Sequence, residues 1–113
     1  MVQLTTGNLL DANVEALVNT VNTVGVMGKG IALQFRQAFP KNYEAYRAAC
    51  NRGEVKIGKM FVFDLARLSN PRLIINFPTK RHWKQRAKID DIDAGLQDLT
   101  RVIQKMSISS IAL

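Results

Sequence analysis

With 113 residues the chain has room for one domain but not for two, and its composition, 47% apolar and 22% charged, is that of a globular protein with its own core. The single cysteine, Cys50, excludes an internal disulfide, and neither a signal-peptide pattern nor a bilayer-spanning apolar run occurs, so we expect a cytoplasmic protein without membrane contact. Sixteen Lys and Arg against nine Asp and Glu give a net charge of +7. This excess is compatible with a polyanionic partner or with a basic surface that serves solubility.

Strands and helices alternate along the first half of the chain. Residues 2–6 are predicted to form a short strand, and residues 16–21 form a second whose nearly unbroken apolar run is typical of a central parallel strand. Apolar residues then recur at helical spacing up to Pro40, which separates two helices. The second helix has an apolar face and ends at Gly53. That face consists of Tyr43, Tyr46, Ala49 and Cys50, and the face of the first helix consists of Ile31, Phe35, Ala38 and Phe39.

The second half of the chain continues the alternation. Residues 60–65 and 73–77, rich in β-branched and aromatic side chains, are predicted strands. A long amphipathic helix follows, with Asp90 as its expected N-cap, and residues 109–113 begin another strand. The sequence therefore predicts an α/β fold in three layers, a mixed β-sheet sandwiched between helices. The apolar face of the long helix is expected to comprise Ile89, Ile92, Leu96, Leu99, Ile103 and Met106.

The segment 17–32 carries the clearest functional signal. An apolar strand ends in polar residues, including Asn19 and Asn22, and a turn containing Gly25, Gly28 and Gly30 leads into a helix. Such a loop, with its free backbone N–H groups and the positive end of a helix, is where α/β proteins bind phosphates, and glycines allow positive φ angles and close approach of a ligand. The spacing fits neither the P-loop nor the dinucleotide-binding fingerprint. A purely structural turn is the alternative.

Several segments together resemble the macrodomains, a family that binds ADP-ribose. They are residues 7–10, residues 16–19, Asn22 and residues 25–33, and the similarity extends over residues 4–113. The sequence of residues 27–32 resembles the branch that contains the terminal ADP-ribose glycohydrolases, and the match is best with the DarG-type antitoxin macrodomains. The resemblance implies a macrodomain fold and removal of ADP-ribose from DNA modified by a transferase toxin.

The resemblance also implies which residues bind ADP-ribose. They would hold the adenine end, the distal ribose and the diphosphate, with Asn8 at a position where many macrodomains carry an aspartate. Met27 is either a packing plug or a lid over the distal ribose, and its position favours the lid. The full set comprises Asn8, Leu9, Asn19, Thr20, Asn22, Gly25, Val26, Met27, Gly28, Lys29, Gly30, Ile31, Pro78 and Thr79.

Lys80 matches the catalytic lysine of the glycohydrolase branch. It is predicted to lie just past the end of a strand, where Pro78 would fix the exit of the chain. An amine could attack the anomeric carbon or the opened sugar aldehyde, or its protonated form could assist departure of the base from an oxocarbenium-like state. The alternative is that Lys80 is one more solvated cation.

Residues 80–88 contain five cations and one tryptophan, a composition that favours nucleic acid. Trp83 is a candidate stacking platform for a base, with packing beneath the loop as its alternative role. His82 could contact a phosphate or simply face solvent. The candidate contacts to DNA are Arg81, His82, Trp83, Lys84 and Arg86. No metal site and no cofactor are expected, because no His, Cys, Asp or Glu set has ligand spacing.

Macrodomains of this type continue beyond the strand at residues 108–113 into a second glycine-rich loop, so we expect residues 1–113 to be a single but incomplete macrodomain. We rank three hypotheses. The first is a monomeric glycohydrolase that acts on ADP-ribosylated single-stranded DNA as antitoxin to a transferase toxin. The second is a glycohydrolase acting on ADP-ribosylated protein, and the third is a non-catalytic ADP-ribose reader.

Overall fold

The computed structural model describes residues 8–82 and 84–113. The strand predicted at residues 2–6 lies outside these residues. The described elements, after a short 3-10 turn at Leu9–Asp11, are β1 (Ala16–Asn22), α1 (Gly30–Ala38), α2 (Pro40–Asn51), β2 (Phe61–Asp64), β3 (Leu73–Lys80), α3 (Ile89–Lys105) and β4 (Ile111–Ala112). Among the described residues, no helix is both long and apolar enough to cross a bilayer.

The four described strands form one mixed sheet in the order β2-β3-β1-β4. β1 pairs in parallel with β3 and with β4, whereas β2 runs antiparallel to β3. The prediction that residues 16–21 form a central parallel strand is confirmed, and the reason is that Ala16, Leu17 and Val18 are buried on both faces of the sheet.

β3 is longer than predicted. The prediction that the strand ends at residue 77, with Pro78 as its exit, is wrong, because the strand continues to Lys80 and Pro78 is fully buried within it. Proline cannot donate to the sheet, and the register between β1 and β3 shifts just beyond this point, between Val21 and Asn22. Beyond the shift, Asn22 of β1 is paired with Lys80 of β3.

Two cores flank the sheet, which confirms the three-layer arrangement. On one face α1 and α2 pack against β1 through buried residues such as Phe35, Tyr46 and Leu17. On the other face α3 packs against β3, with Leu99 and Val102 in the same cluster as Phe77. A buried amide pair lies between α2 and β3, in which Asn42 and Asn76 exchange hydrogen bonds of 3.3 and 2.8 Å. The Asn76 Nδ2 also donates to the Phe61 carbonyl at 3.1 Å.

The orientation and the start of α3 differ from the prediction. Its N-cap is Lys88 rather than Asp90, which lies in the first turn. The buried positions are Gly95, Leu99 and Val102, while Ile89 is 85% exposed and Leu96 is 45% exposed. The cause is the Phe77 ring, which approaches the helix backbone so closely that a Cβ on Gly95 would lie 2.4 Å from it. The helix therefore turns Gly95, together with Leu99 and Val102, toward the sheet.

Candidate active site

A cleft of about 780 Å³ opens where the carboxyl ends of β1 and β3 lie side by side. We call it the main cleft. It brings the glycine-rich loop together with the end of β3, two segments that lie about fifty residues apart in the sequence. Parallel strands place their carboxyl ends at the same edge of a sheet, which is the position of ligand sites in α/β folds. The lining residues are Thr20, Val21, Asn22, Val26, Gly28, Lys29, Ile31, Ala32, Thr79, Lys80 and Lys84.

The main cleft is positively charged. Three lysines line it, namely Lys29, Lys80 and Lys84, and none of its described lining residues is acidic. Lys29 is also the N-cap of α1 and has no side-chain cap hydrogen bond, so the first backbone N–H groups of the helix add positive potential at the same place. This combination suits a multiply charged anion such as a diphosphate.

A second cavity of about 470 Å³, the end pocket, continues the main cleft. The two share Thr20 and Ile31, so they form one continuous groove. Gln34, which was not among the predicted site residues, lines the end pocket one helical turn after Ile31, and that spacing on α1 was the available signal. The end pocket is lined by Asn8, Leu9, Val18, Asn19, Thr20, Ile31, Gln34 and Leu113.

Two asparagines border the end pocket in different ways. Asn8 is exposed, and its Oδ1 accepts a hydrogen bond from the Leu10 backbone N–H at 3.0 Å, which caps the 3-10 turn. Asn19 is buried, its Nδ2 lies 3.9 Å from the Met27 sulfur, and its Oδ1 has no hydrogen-bond partner within the described structure. Asn8 keeps its amide N–H groups available for a ligand, whereas Asn19 is largely withdrawn into the core.

Asn22 organises the glycine-rich loop through its side chain. Its Oδ1 accepts hydrogen bonds from the backbone N–H groups of Val24 and Gly25 at 3.1 Å each and of Val26 at 3.3 Å. Its Nδ2 donates to the Val26 carbonyl at 2.9 Å. The amide oxygen is therefore committed to the loop, and only the second N–H of Nδ2 remains for a distal ribose. That contact stays a prediction.

Tyr46 of α2 anchors this arrangement from below. Its hydroxyl lies 2.7 Å from the Asn22 carbonyl oxygen and 2.9 Å from the Asn22 Oδ1, and the residue is completely buried. Burial raises the pKa of the Tyr46 phenol, so the group stays protonated and remains a donor. Burial also raises the pKa of the neighbouring Cys50 thiol, and this half-buried cysteine packs against the core, as the sequence predicts.

The three glycines of the loop have different roles. Gly25 has a φ of +89°, and a Cβ there would lie 3.5 Å from the Arg47 side chain and 3.6 Å from the Cys50 Cβ, so this glycine faces α2 rather than the cleft. Gly30 has a φ of +55° and open space around it. Gly28 lines the cleft without a positive φ, so the predicted left-handed turns of the loop occur at Gly25 and Gly30.

Met27 and Pro78, both predicted to bind the ligand, are buried and line neither cavity. Met27 is completely buried and belongs to the core beneath the loop, so of its two predicted roles the structure has the packing plug and not the lid. Pro78 is buried within β3 and does not line either cavity, because the strand continues past it. Thr79 does line the main cleft, and its hydroxyl lies 3.4 Å from the Val21 carbonyl oxygen.

The basic segment divides at the end of β3. Lys80 and Lys84 line the main cleft, whereas Arg81 points elsewhere, 3.8 Å from the Asp91 carboxylate. His82 Nδ1 accepts from the Lys84 backbone N–H at 3.2 Å, which stabilises the turn. Arg86 is exposed and Trp83 lies outside the described residues, so the predicted nucleic-acid contacts of this segment stay predictions. In residues 8–82 and 84–113, no three His, Cys, Asp or Glu side chains are grouped to hold a metal ion.

Known proteins share this sequence and this architecture. Residues 18–113 match the Macro domain family. A DNA ADP-ribosyl glycohydrolase of Thermus aquaticus is 58% identical over 113 residues, all of this chain and 31% of that protein. The chain thus spans about a third of the length of this relative. A fusion protein of Thermosipho africanus, named DNA ADP-ribosyl transferase-DNA ADP-ribosyl glycohydrolase, is 32% identical over 97% of this chain and 32% of its own length.

Solved structures agree with the sequence matches. The macrodomain of Mycobacterium tuberculosis DarG superposes with a TM-score of 0.93 at 58% identity and covers 98% of this chain, which in turn covers 73% of it. Thermosipho africanus DarTG, solved in complex with ADP-ribose, gives a TM-score of 0.85 at 33% identity, with 97% of this chain and 31% of that chain covered. The chain therefore belongs to the macrodomain family, in the group that contains the DarG macrodomains.

Proposed function

We propose that this chain binds ADP-ribose and hydrolyses the bond that joins it to a DNA base. The observation that carries the proposal is the continuous groove that places the glycine-rich loop and Lys80 in one cleft. The names of the relatives support the same activity: the Thermus aquaticus protein is a DNA ADP-ribosyl glycohydrolase, and the Thermosipho africanus DarTG structure contains ADP-ribose.

The ligand lies along the groove with its adenine in the end pocket and its diphosphate in the main cleft. The adenine occupies the space near Asn8 and Gln34, whose amides can match the donors and acceptors of the base. The diphosphate lies over the loop at Gly28, where Lys29 and the first turn of α1 supply positive potential. The distal ribose then reaches the cleft wall formed by Asn22 and Lys80, which are paired across β1 and β3.

The reaction breaks the C–N bond between the anomeric carbon of the distal ribose and the base. The electron pair of that bond passes to the base nitrogen, which takes up a proton, and water supplies the hydroxyl of the released ADP-ribose. The amine of Lys80 has two possible roles here, attack on the sugar carbon or donation of a proton to the departing base. Borohydride reduction separates them, because it traps a covalent imine between a sugar aldehyde and Lys80 only in the first case.

The substrate in this proposal is ADP-ribosylated single-stranded DNA, and the partner is a DNA ADP-ribosyltransferase toxin. The net charge of +7 and the cations of residues 80–88 support a polyanionic substrate. The Thermosipho africanus fusion supports the toxin, since it joins a transferase and a glycohydrolase in one chain. The groove is built from a single chain, which supports action as a monomer, and modification of cellular DNA would place the protein in the cytoplasm.

The test measures release of ADP-ribose from an ADP-ribosylated oligonucleotide by the wild-type protein, by Lys80→Ala and by the matched control Lys105→Ala, whose lysine is exposed in the last turn of α3. We expect Lys80→Ala to lower kcat by about 10²- to 10⁴-fold, as loss of a proton-transferring or nucleophilic group does, while the Kd for ADP-ribose changes little. The control should behave as wild type.

Other outcomes identify the alternatives. Binding of ADP-ribose without release from DNA by the wild-type protein would make the chain a reader. Release from an ADP-ribosylated peptide but not from DNA would move the substrate to protein. For a DNA enzyme, by contrast, kcat/KM on the oligonucleotide should fall steeply with added salt. It should fall much less on a substrate without a DNA backbone.

A further inference from the structure

A third cavity, of about 390 Å³, shares no lining residue with the main cleft or the end pocket. We call it the side pocket; it is lined by Thr23, Val24, Val55, Lys56, Ile57 and Arg81. Its wall follows directly from that of the main cleft. Asn22 and Lys80 line the main cleft, and the next residue of each segment, Thr23 and Arg81, lines the side pocket.

A hydrogen bond holds the partition between the two cavities together. The Thr23 hydroxyl donates to the Arg81 carbonyl oxygen at 3.2 Å, so the two segments that separate the cavities are tied to each other. Consecutive Cα atoms are only about 3.8 Å apart, so the backbone of residues 22–23 and of residues 80–81 borders both cavities. The side pocket is therefore positioned to receive whatever remains attached to the reacting carbon.

The chemistry of the side pocket fits a nucleotide. Lys56 and Arg81 supply two cations, and none of its described lining residues is acidic. Lys56 takes part in no ion pair within the part of the chain that the structure describes. The Arg81 side chain is 63% exposed, and its ion pair with Asp91 is long at 3.8 Å and therefore weak, so a phosphate can compete for the guanidinium.

The remaining lining is aliphatic. Val24 is 45% exposed, Ile57 is half-buried and Val55 is buried. An apolar surface beside two cations matches a base with its adjoining phosphate, since bases pack on apolar surface and phosphates bind Lys and Arg. The volume also lies within the roughly 300–1,000 Å³ that sites for small molecules occupy.

We propose that the side pocket binds the nucleotide next to the modified one, with its phosphate at Lys56 and Arg81 and its base against Val24 and Ile57. The proposal rests on the proposed function, because only a substrate whose sugar reacts at Lys80 carries its DNA strand past this partition. It assigns to the DNA strand a definite exit from the cleft, whereas net charge alone predicts only a general attraction.

The experiment compares two substrates and two charge reversals. The substrates are an ADP-ribosylated trinucleotide and an ADP-ribosylated nucleoside that has no phosphate outside the ADP-ribose. The variants are Lys56→Glu, an exposed position that lines neither cavity of the ADP-ribose groove, and the matched control Lys105→Glu in the last turn of α3. We expect Lys56→Glu to lower kcat/KM on the trinucleotide by about tenfold and to reduce the slope of log kcat/KM against log salt by about one.

On the nucleoside Lys56→Glu should act as wild type, and Lys105→Glu should leave both substrates within about twofold. Equal effects of the two reversals on the trinucleotide, or an equal effect of Lys56→Glu on both substrates, would overturn the side pocket. Failure of the proposed function looks different, because the wild-type protein would then release ADP-ribose from neither substrate. In that case fluorescence anisotropy of an unmodified oligonucleotide still decides, since the pocket requires weaker binding by Lys56→Glu than by Lys105→Glu.

Discussion

Tyr46→Phe is the substitution that isolates the anchor of the glycine-rich loop. It removes one hydroxyl and leaves the ring, which fills the core beneath the loop. The hydroxyl is the link between α2 and Asn22, at 2.7 Å from the carbonyl oxygen and 2.9 Å from Oδ1. A buried hydrogen bond contributes about 1 kcal/mol net, and leaving its acceptors with fewer partners adds to the cost, so we expect the free energy of unfolding to fall by about 1–3 kcal/mol.

The same change should weaken ligand binding. Tyr46 is completely buried and cannot touch a ligand, so any loss must act through Asn22 and the three N–H groups that it holds. If the loop has to be reordered on binding at a cost of about 1.4 kcal/mol, the Kd for ADP-ribose rises about tenfold. Adenosine, which lacks the diphosphate, should bind Tyr46→Phe and wild type alike, because the end pocket does not include residues 24–26.

Calorimetry supplies both measurements, and α2 supplies the control. Tyr43 is half-buried on the same helix, its ring lies 6.5 Å from that of Tyr46, and it contacts Arg36 through the ring face rather than through its hydroxyl. Tyr43→Phe should therefore change neither the unfolding temperature nor the Kd. If Tyr46→Phe matched Tyr43→Phe in both, the hydroxyl would not support the loop. If it weakened adenosine and ADP-ribose equally, its effect would be general destabilisation instead.

Two further predictions concern α3. Gly95→Ala places a methyl group 2.4–2.5 Å from the Phe77 ring and should destabilise the fold by about 1–3 kcal/mol in urea unfolding, despite the higher helix propensity of alanine; stabilisation would contradict the close approach, and the exposed Gln97→Ala serves as control. Burial opposes ionisation of Asp98, but hydrogen bonds from Arg101 and from the Met60 backbone outweigh it and hold the pKa of this carboxyl below its ordinary value. The ionised form thus stabilises the fold above the unfolded pKa of about 3.9, and this contribution is lost as the pH falls through the lower folded pKa. Asp98→Asn should therefore be less stable than wild type at pH 7 and converge with it in acid; a difference that stays constant with pH would contradict this sign.

Sequence patterns predicted the elements whose burial is decided locally. β1 was predictable because its apolar run admits no solvent-exposed face, and α2 because Pro40 and Gly53 bound a stretch with an apolar stripe. The cleft was predictable because a glycine-rich turn and a lysine at the end of a neighbouring strand meet at one edge of the sheet. These features depend on residue types and spacing within short windows, which is what sequence carries directly.

Features decided by contacts between distant segments were not predictable in this way. The orientation of α3 depends on the close approach of the Phe77 ring to Gly95. A hydrophobic pattern along the helix does not indicate that a glycine is needed at the contact with the sheet. Proline suggested the end of β3, but pairing with β1 carries the strand on to Lys80. Likewise, the position of Met27 in the loop suggested a lid, although the space beneath the loop takes up its side chain.

The amide pair of Asn42 and Asn76 has a consequence for the alignment of the site above it. Each amide can be satisfied in the apolar layer only when α2 lies at one longitudinal position along β3, since a slip would leave buried donors and acceptors unpaired. Tyr46 follows Asn42 by four residues, about 6 Å along the helix, and Lys80 follows Asn76 by four, about 13 Å along the strand. The buried pair thus fixes the position of α2, which holds the loop, relative to β3, which carries Lys80. It does so from within the core, away from the ligand groove.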